Sequence, residues 1–467
     1  MKNSSRSNPL FLFFFLGFIA LLFLSLGADF PGHFKARILY GTFLLIFFLF
    51  LRWKIECRNF IFIPLAAFLI FQIVRFLGAI YSLYFIPTEN AAAVLFAIQA
   101  RSPLRWIFYF AFFLLAYSFF KQRESVSALV KGMSWFGFFL ALNAIPPLLH
   151  NGSFGYLIEG NELRFFHPVF YFHPWASHYV LAVLTHSNFL GDIMAFGFFP
   201  ALGLAFYSFR SLESKDREDA ESADRKDRKR AIFSSLLLYM ILGFVIGAAV
   251  FLLFSRGTIA FFFIASFFFL AACLLKFPSR PQLIFTLSVL MIGGAFFFWG
   301  GNLEKAWKEV QTLQKEADPK TRRSFATNVE GWNRALRIYK AYPVFGAGTG
   351  GYGAVAKRFA APGLEKSDPL ADFQTMCHYI QVLAEEGAGA FFYYSFILVY
   401  LWQMTKGLFT TRSRFKFLTG LSLFAPVLLI LGHASINDLM ERFSTSMLVY
   451  ITMGAGLAVL RKDFGHP

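Results

Sequence analysis

Residues 375–402 read TMCHYIQVLAEEGAGAFFYYSFILVYLW. A polar patch carrying His378, Glu385 and Glu386 runs straight into an apolar helix. A titratable cluster at the mouth of such a helix invites a functional reading, and what it means depends on what solvates the helix and which side the mouth faces.

Composition answers the first question. The chain is 57% hydrophobic with 67 Phe among 467 residues, and long apolar runs recur without the polar alternation of a soluble core. A bilayer core needs about 20 apolar residues per helix. The reading is an all-α polytopic membrane protein of about twelve transmembrane helices, counted by that length. Spans are expected near 10–27, 36–51, 60–80, 104–120, 126–148, 179–209, 231–254, 258–275, 282–299, 386–405, 417–432 and 443–460. The first is read as a retained span, since no A-x-A-like cleavage site follows it.

Loop charge answers the second. RWKIECR (52–58), KQRES (121–125), the run 213–230, KFPSRP (276–281), KGLFTTRSRFK (406–416) and the RKDFGHP tail are strongly basic. Opposite loops hold only scattered bases. Short basic loops stay cytoplasmic, so both termini are expected inside. The formal charge of +17 then reports orientation and anionic membrane lipid rather than nucleic acid. The expected division is 1–178 and 179–299 as membrane regions, 300–385 as one large outside loop with short helices, and 386–467 as the C-terminal helices and tail. His378 falls at the end of the loop, on the extracytoplasmic side.

Several outside residues carry chemistry. Arg256, in LLFSRGTIAFF, sits between two apolar runs, where a guanidinium either snorkels or grips an anion. Residues 329–342 have Val329, Trp332, Leu336 and Tyr339 at helical spacing, with Arg334, Arg337 and Lys340 among them. That predicts an amphipathic helix on the membrane surface, ending at Pro343. GAGTGG (346–351) follows a helix rather than a strand, so it is no dinucleotide motif. Its glycines suit a tight turn or close approach to a ligand. His167, His173, His178 and His186 match no zinc spacing, and no acidic cluster suits a divalent cation. No metal or cofactor is expected. Three cysteines, Cys57, Cys273 and Cys377, form no disulfide framework. Arg75 is read as the only clear charge within a span.

The order of these features resembles the O-antigen ligase/polymerase superfamily, membrane glycosyltransferases that include lipid A-core:O-antigen ligases and Wzy-type polymerases. The resemblance rests on HSNFLGDIMAFGFFPALGL (186–204), FSRGTIAFFFIASFFF (254–269), WNRALRIYKAYPVFGAGTGGYG (332–353), CHYIQVLAEEGAGAFFYY (377–394) and GHASINDLMERFSTSMLVYITMGAGL (432–457). It covers about 185–460. It implies a GT-C-like fold and inverting, metal-independent transfer of a polyprenyl-diphosphate-linked glycan at the periplasmic face of a bacterial inner membrane. The acceptor would be lipid A-core or a growing glycan. Arg256 would meet the diphosphate and His378 would act as base, with Arg322, Arg323, Arg334, Arg337 and Glu385 as candidate substrate contacts. Glu330 stands near where the family places a second arginine, and Tyr379 where it has asparagine.

The implied chemistry suits the residues. An acceptor hydroxyl is a poor nucleophile that a histidine base assists, and arginines can stabilise a departing diphosphate. A ligase and a polymerase differ here only in acceptor, and the long loop favours the ligase. A lipid-linked oligosaccharide flippase would instead show internal repeats and several ionisable residues in mid-span.

Overall fold

The computed structural model describes residues 59–85, 106–151, 157–159, 162–164, 187–213, 222–252, 256–277, 319–348, 351–360, 375, 377–437, 440, 443–461 and 464. In chain order the helices are α1 (Phe62–Phe85), α2 (Trp106–Phe119), α3 (Arg123–Asn151), α4 (Ser187–Glu213), α5 (Ser222–Leu252), α6 (Arg256–Lys276), α7 (Pro319–Ala341), α8 (Tyr352–Val355), α9 (His378–Glu386), α10 (Gly389–Thr410), α11 (Arg414–His433) and α12 (Phe443–Val459). The expected spans at 10–27, 36–51 and 282–299 lie outside the described residues, as do His167, His173, His178 and His186. A helix occupies each other expected span. α5 starts earlier than expected because the charged run before it is itself helical. One feature departs from the helical pattern: Leu157–Glu159 and Glu162–Arg164 form an antiparallel hairpin with Leu157 opposite Arg164.

Among the described residues five helices, within α3, α4, α5, α6 and α11, are long and apolar enough to cross a membrane, and α1, α2 and α12 hold shorter apolar stretches. The chain is an all-α, multi-pass membrane protein. α4 is the most enclosed span, packed by α3, α5, α6 and α11. α5 is the least enclosed, with Phe233, Leu237, Ile241 and Phe244 facing outward as lipid requires. α1, α2, α10 and α12 form a second group around stacked and edge-on rings. Tyr109 stacks on Tyr450 at 5.3 Å, and Phe110 meets Phe396 edge-on at 5.4 Å. α11 lies between the groups, touching α4 and α6 on one side and α10 and α12 on the other.

Helices in lipid gain little from apolar burial against each other, so close packing decides which pairs associate. α3 and α4 cross at Gly137 and Gly197, where a β-carbon on Gly197 would fall 2.5 Å from the Gly137 Cα. Rings fill the wider gaps, which is where the phenylalanine-rich composition goes.

One end of the bundle is held by basic residues. Arg210 donates to the Phe277 carbonyl, Lys276 to Phe409 O at 2.7 Å and Lys416 to Arg461 O at 2.9 Å. Each acceptor belongs to the end of another helix, whose last carbonyls lack helical partners. Arg123 lies over the Phe415 ring and Arg461 over Tyr117. The bases that set the expected orientation therefore also cap helices. α7, α8 and α9 lie at the opposite end.

Gly197→Ala is expected to lower stability by about 1–3 kcal/mol, as overpacking at a tight crossing does. Gly243→Ala, whose β-carbon would meet nothing nearer than 3.9 Å, should leave stability unchanged or raised. Thermal unfolding in detergent compares the two.

Candidate active site

α9 is nine residues long, and its first residue is His378. The ring is buried, with Nε2 3.0 Å from the Tyr393 hydroxyl of α10, and its backbone N–H donates to Ala434 O at 2.9 Å. One turn on, Gln381 donates to Glu385 Oε1 at 3.2 Å, and the backbone N–H of Tyr352 reaches the same oxygen at 3.3 Å. The polar face of the helix is thus buried inside the protein. Gly387, at φ 58°, then ends α9 in a conformation that side-chain-bearing residues avoid.

Glu386 anchors that corner. Its Oε2 accepts from Arg75 at 2.5 Å and from Gln72 at 2.6 Å, and its Oε1 accepts from the Trp106 indole at 3.1 Å. Arg75 and Gln72 come from α1 and Trp106 from α2. A buried carboxylate is tolerable only when paired and hydrogen-bonded, and this one has three donors from two helices.

The glycine turn after α7 docks on the same corner. Ala347 N–H donates to Ala384 O at 2.9 Å and Gly348 N–H to Glu385 O at 3.0 Å, while Ala388 N–H returns to Val344 O at 3.0 Å. The last carbonyls of α9 thereby gain the donors that no helical turn supplies. Gly346 has φ 64°, and a β-carbon there would lie 2.2 Å from Glu385 O. The close approach expected of these glycines is to the chain itself.

α7 corrects two expectations. It is longer than expected, and its packed face carries Ala335 and Ile338, which meet Tyr352, Ala356 and Ala384 of α8, the 3₁₀ turn Ala356–Phe359 and α9, whereas Leu336 of the expected apolar stripe is exposed. Arg334 is fully buried, its Nε donating to Glu330 Oε1 at 2.8 Å. Arg337 reaches the same oxygen at 2.8 Å and Phe359 O at 2.7 Å. Glu330, in the neighbourhood expected to hold an arginine, takes both guanidinium groups. Arg322 and Arg323 lie in the first turns of the same helix.

A second junction forms at the end of α11. Tyr379 donates to Leu431 O at 2.6 Å, beside the His378–Ala434 bond. Burial pushes the Tyr379 hydroxyl well above the ordinary phenol range, so it remains a donor. Between these two acceptors, His433 turns its ring toward α4 and α6. Its Nδ1 lies 2.8 Å from Asp192 Oδ2, and its Nε2 abuts Gly257, the residue after Arg256. The 431–434 corner therefore holds both His378 and the helix start that carries Arg256.

Asp192 and His433 are absent from the sequence reading as site residues. Asp192 lies in the second turn of α4 and is fully buried, so Arg75 is not the only charge within a span. The signal was a lone carboxylate in an apolar run, with a histidine in GHASIND. Cys377 is buried, and burial pushes its thiol pKa up, which disfavours a thiolate nucleophile beside His378. Among the described residues no three His, Cys, Asp or Glu side chains gather as metal ligands.

Arg75→Met should strand the Glu386 carboxylate and cost about 3–5 kcal/mol. The double variant Arg75→Met/Glu386→Leu should recover most of that loss. Thermal unfolding of both singles and the double supplies the cycle, and additive losses would contradict the pairing.

Residues 240–395 match the family described as O-antigen ligase. The matched stretch contains Arg256, Arg334, Arg337, His378 and Glu385 and ends within α10; Asp192, His433 and Arg75 lie outside it. No curated protein matches the chain. Covering about a third of the sequence, the match suggests membership of the O-antigen ligase and Wzy-type superfamily.

Proposed function

We propose that the protein is a glycosyltransferase of the O-antigen ligase type. It transfers a glycan from a polyprenyl-diphosphate carrier to a hydroxyl of lipid A-core, at the periplasmic face of a bacterial inner membrane. The observation that carries this reading is the shared 431–434 corner, against which both His378 and the Arg256 helix start are packed. The partial family match, residues 240–395, spans both residues.

In the reaction the acceptor oxygen attacks the anomeric carbon as the carbon–oxygen bond to diphosphate breaks. The acceptor proton passes to the His378 imidazole, and the electron pair leaves with polyprenyl diphosphate. Tyr393 engages Nε2 and fixes the ring's rotation. Burial of the ring keeps bulk water away from an activated donor that water would hydrolyse. Arg256 carries the diphosphate charge, a task suited to a forked guanidinium. Glu385, Arg334 and Arg337 shape the wall formed by α7 and α9, and Arg322 and Arg323 offer further positive charge on α7.

Deleting the gene should leave long glycan chains on the lipid carrier and none on lipid A. Accumulation of single repeats would instead assign a polymerase, and lipid-linked glycan trapped on the cytoplasmic side would assign a flippase. His378→Ala should abolish transfer with the protein still inserted, and Arg256→Lys should lose roughly 10²-fold in rate. Near-normal transfer by either variant removes that residue from its role.

Transfer from purified polyprenyl-diphosphate glycan should continue in excess EDTA without nucleotide sugar. Activity that disappears and returns with magnesium or manganese would overturn the metal-independent mechanism.

A further inference from the structure

We propose that Asp192 and His433 form a positioning pair that sets where Arg256 leaves α6; this rests on the transfer reading above. The pair grips the first turn of α6 by two routes. The buried Thr258 side chain, two residues after Arg256, lies beside the Asp192 carboxyl. His433 uses Nδ1 on the same carboxylate and presses its other edge against Gly257. A β-carbon at Gly257 would fall 2.3 Å from Nε2 and 3.0 Å from Cδ2, so the imidazole occupies the space a side chain there would need.

The ring has little room to move. Phe261, one turn along α6, stacks on it at 5.7 Å with 25° between planes. Gly432 admits that phenylalanine, since a β-carbon there would lie 2.6 Å from the Phe261 ring. Asp192, Thr258 and His433 are all buried. A purely packing role at this depth is filled more cheaply by apolar side chains. A hydrogen-bonded carboxylate and imidazole add a fixed ring direction, which apolar contacts do not. Successive helix residues leave the axis about 100° apart, so a small rotation of this turn re-aims residue 256. Productive anion contacts tolerate little misplacement. The carbonyl that holds the His378 N–H belongs to Ala434, the next residue, so one corner sets both halves of the site.

The test uses the purified full chain in lipid vesicles, with polyprenyl-diphosphate glycan as donor and lipid A-core as acceptor. His433→Asn retains a donor toward Asp192 but removes the ring; it should raise donor KM at least tenfold and leave acceptor KM unchanged. Asp192→Ala should do the same, and Asp192→Asn, which keeps an acceptor oxygen and shape, should restore most of the donor affinity. Gly257→Ala should be damaging in the wild-type background and add nothing further in His433→Asn. A loss confined to kcat, additive effects of Gly257→Ala and His433→Asn, or failure of Asp192→Asn to rescue would each overturn the positioning role. Transfer that depends on His378 but is indifferent to His433 overturns this proposal alone. Transfer indifferent to His378 overturns the functional reading and this proposal together.

Discussion

The Glu386 carboxylate is the contact on which the described architecture turns. Placed without partners among apolar helices it would cost several kcal/mol. The corner between α9 and α10 is therefore stable only when α1 brings Arg75 and Gln72 and α2 brings the Trp106 indole. Once that corner is fixed, its neighbours follow. Gly387 can reverse the chain, the carbonyls of Ala384 and Glu385 can accept from the glycine turn, and α7 gains a surface to cover. His378 and Glu385 thus owe their positions to a residue with no part in the proposed chemistry.

What the sequence made legible was local. A span announces itself by its own apolar residues, and the expected helices appear wherever the described residues allow comparison. His378 and Arg256 stood out because each is a polar residue at the mouth of an apolar run. The partners were not legible, because 311 residues separate Arg75 from Glu386 and 241 separate Asp192 from His433. No window of sequence contains both members of either pair. Periodicity in 329–342 indicated the helix but not its packed face: Ala335 and Ile338 meet α9, while Leu336 of the expected stripe is exposed. Tyr393 was similarly hidden, since one more ring in FFYYSF gives no sign that its hydroxyl meets a histidine.

The two ends of the bundle use charge differently. At one, basic side chains cap carbonyls of neighbouring helices and remain near solvent, so each contact is modest and replaceable. At the other, ionisable groups, most of them buried, gather in small sets: Arg75 with Glu386, Asp192 with His433, and Glu330 with Arg334 and the partly exposed Arg337. Removing one member there leaves its partner stranded, which concentrates mutational sensitivity where the reaction is proposed to occur.

The distance along the chain between Arg75 and Glu386 has a consequence for biosynthesis. Translation proceeds at about 5–20 residues per second, so roughly 15–60 s separates the emergence of the arginine from that of its carboxylate. For that interval the apolar helix α1 carries a guanidinium and an amide that lack their eventual partner. Inserting an arginine near the middle of a helix costs about 2.5–3.5 kcal/mol on the translocon scale. The surrounding Ile, Leu and Phe of α1 must outweigh that cost unaided. Meanwhile the arginine stem can reach toward the headgroups. Nascent α1 is therefore held only provisionally, and is locked in place when the last third of the chain arrives.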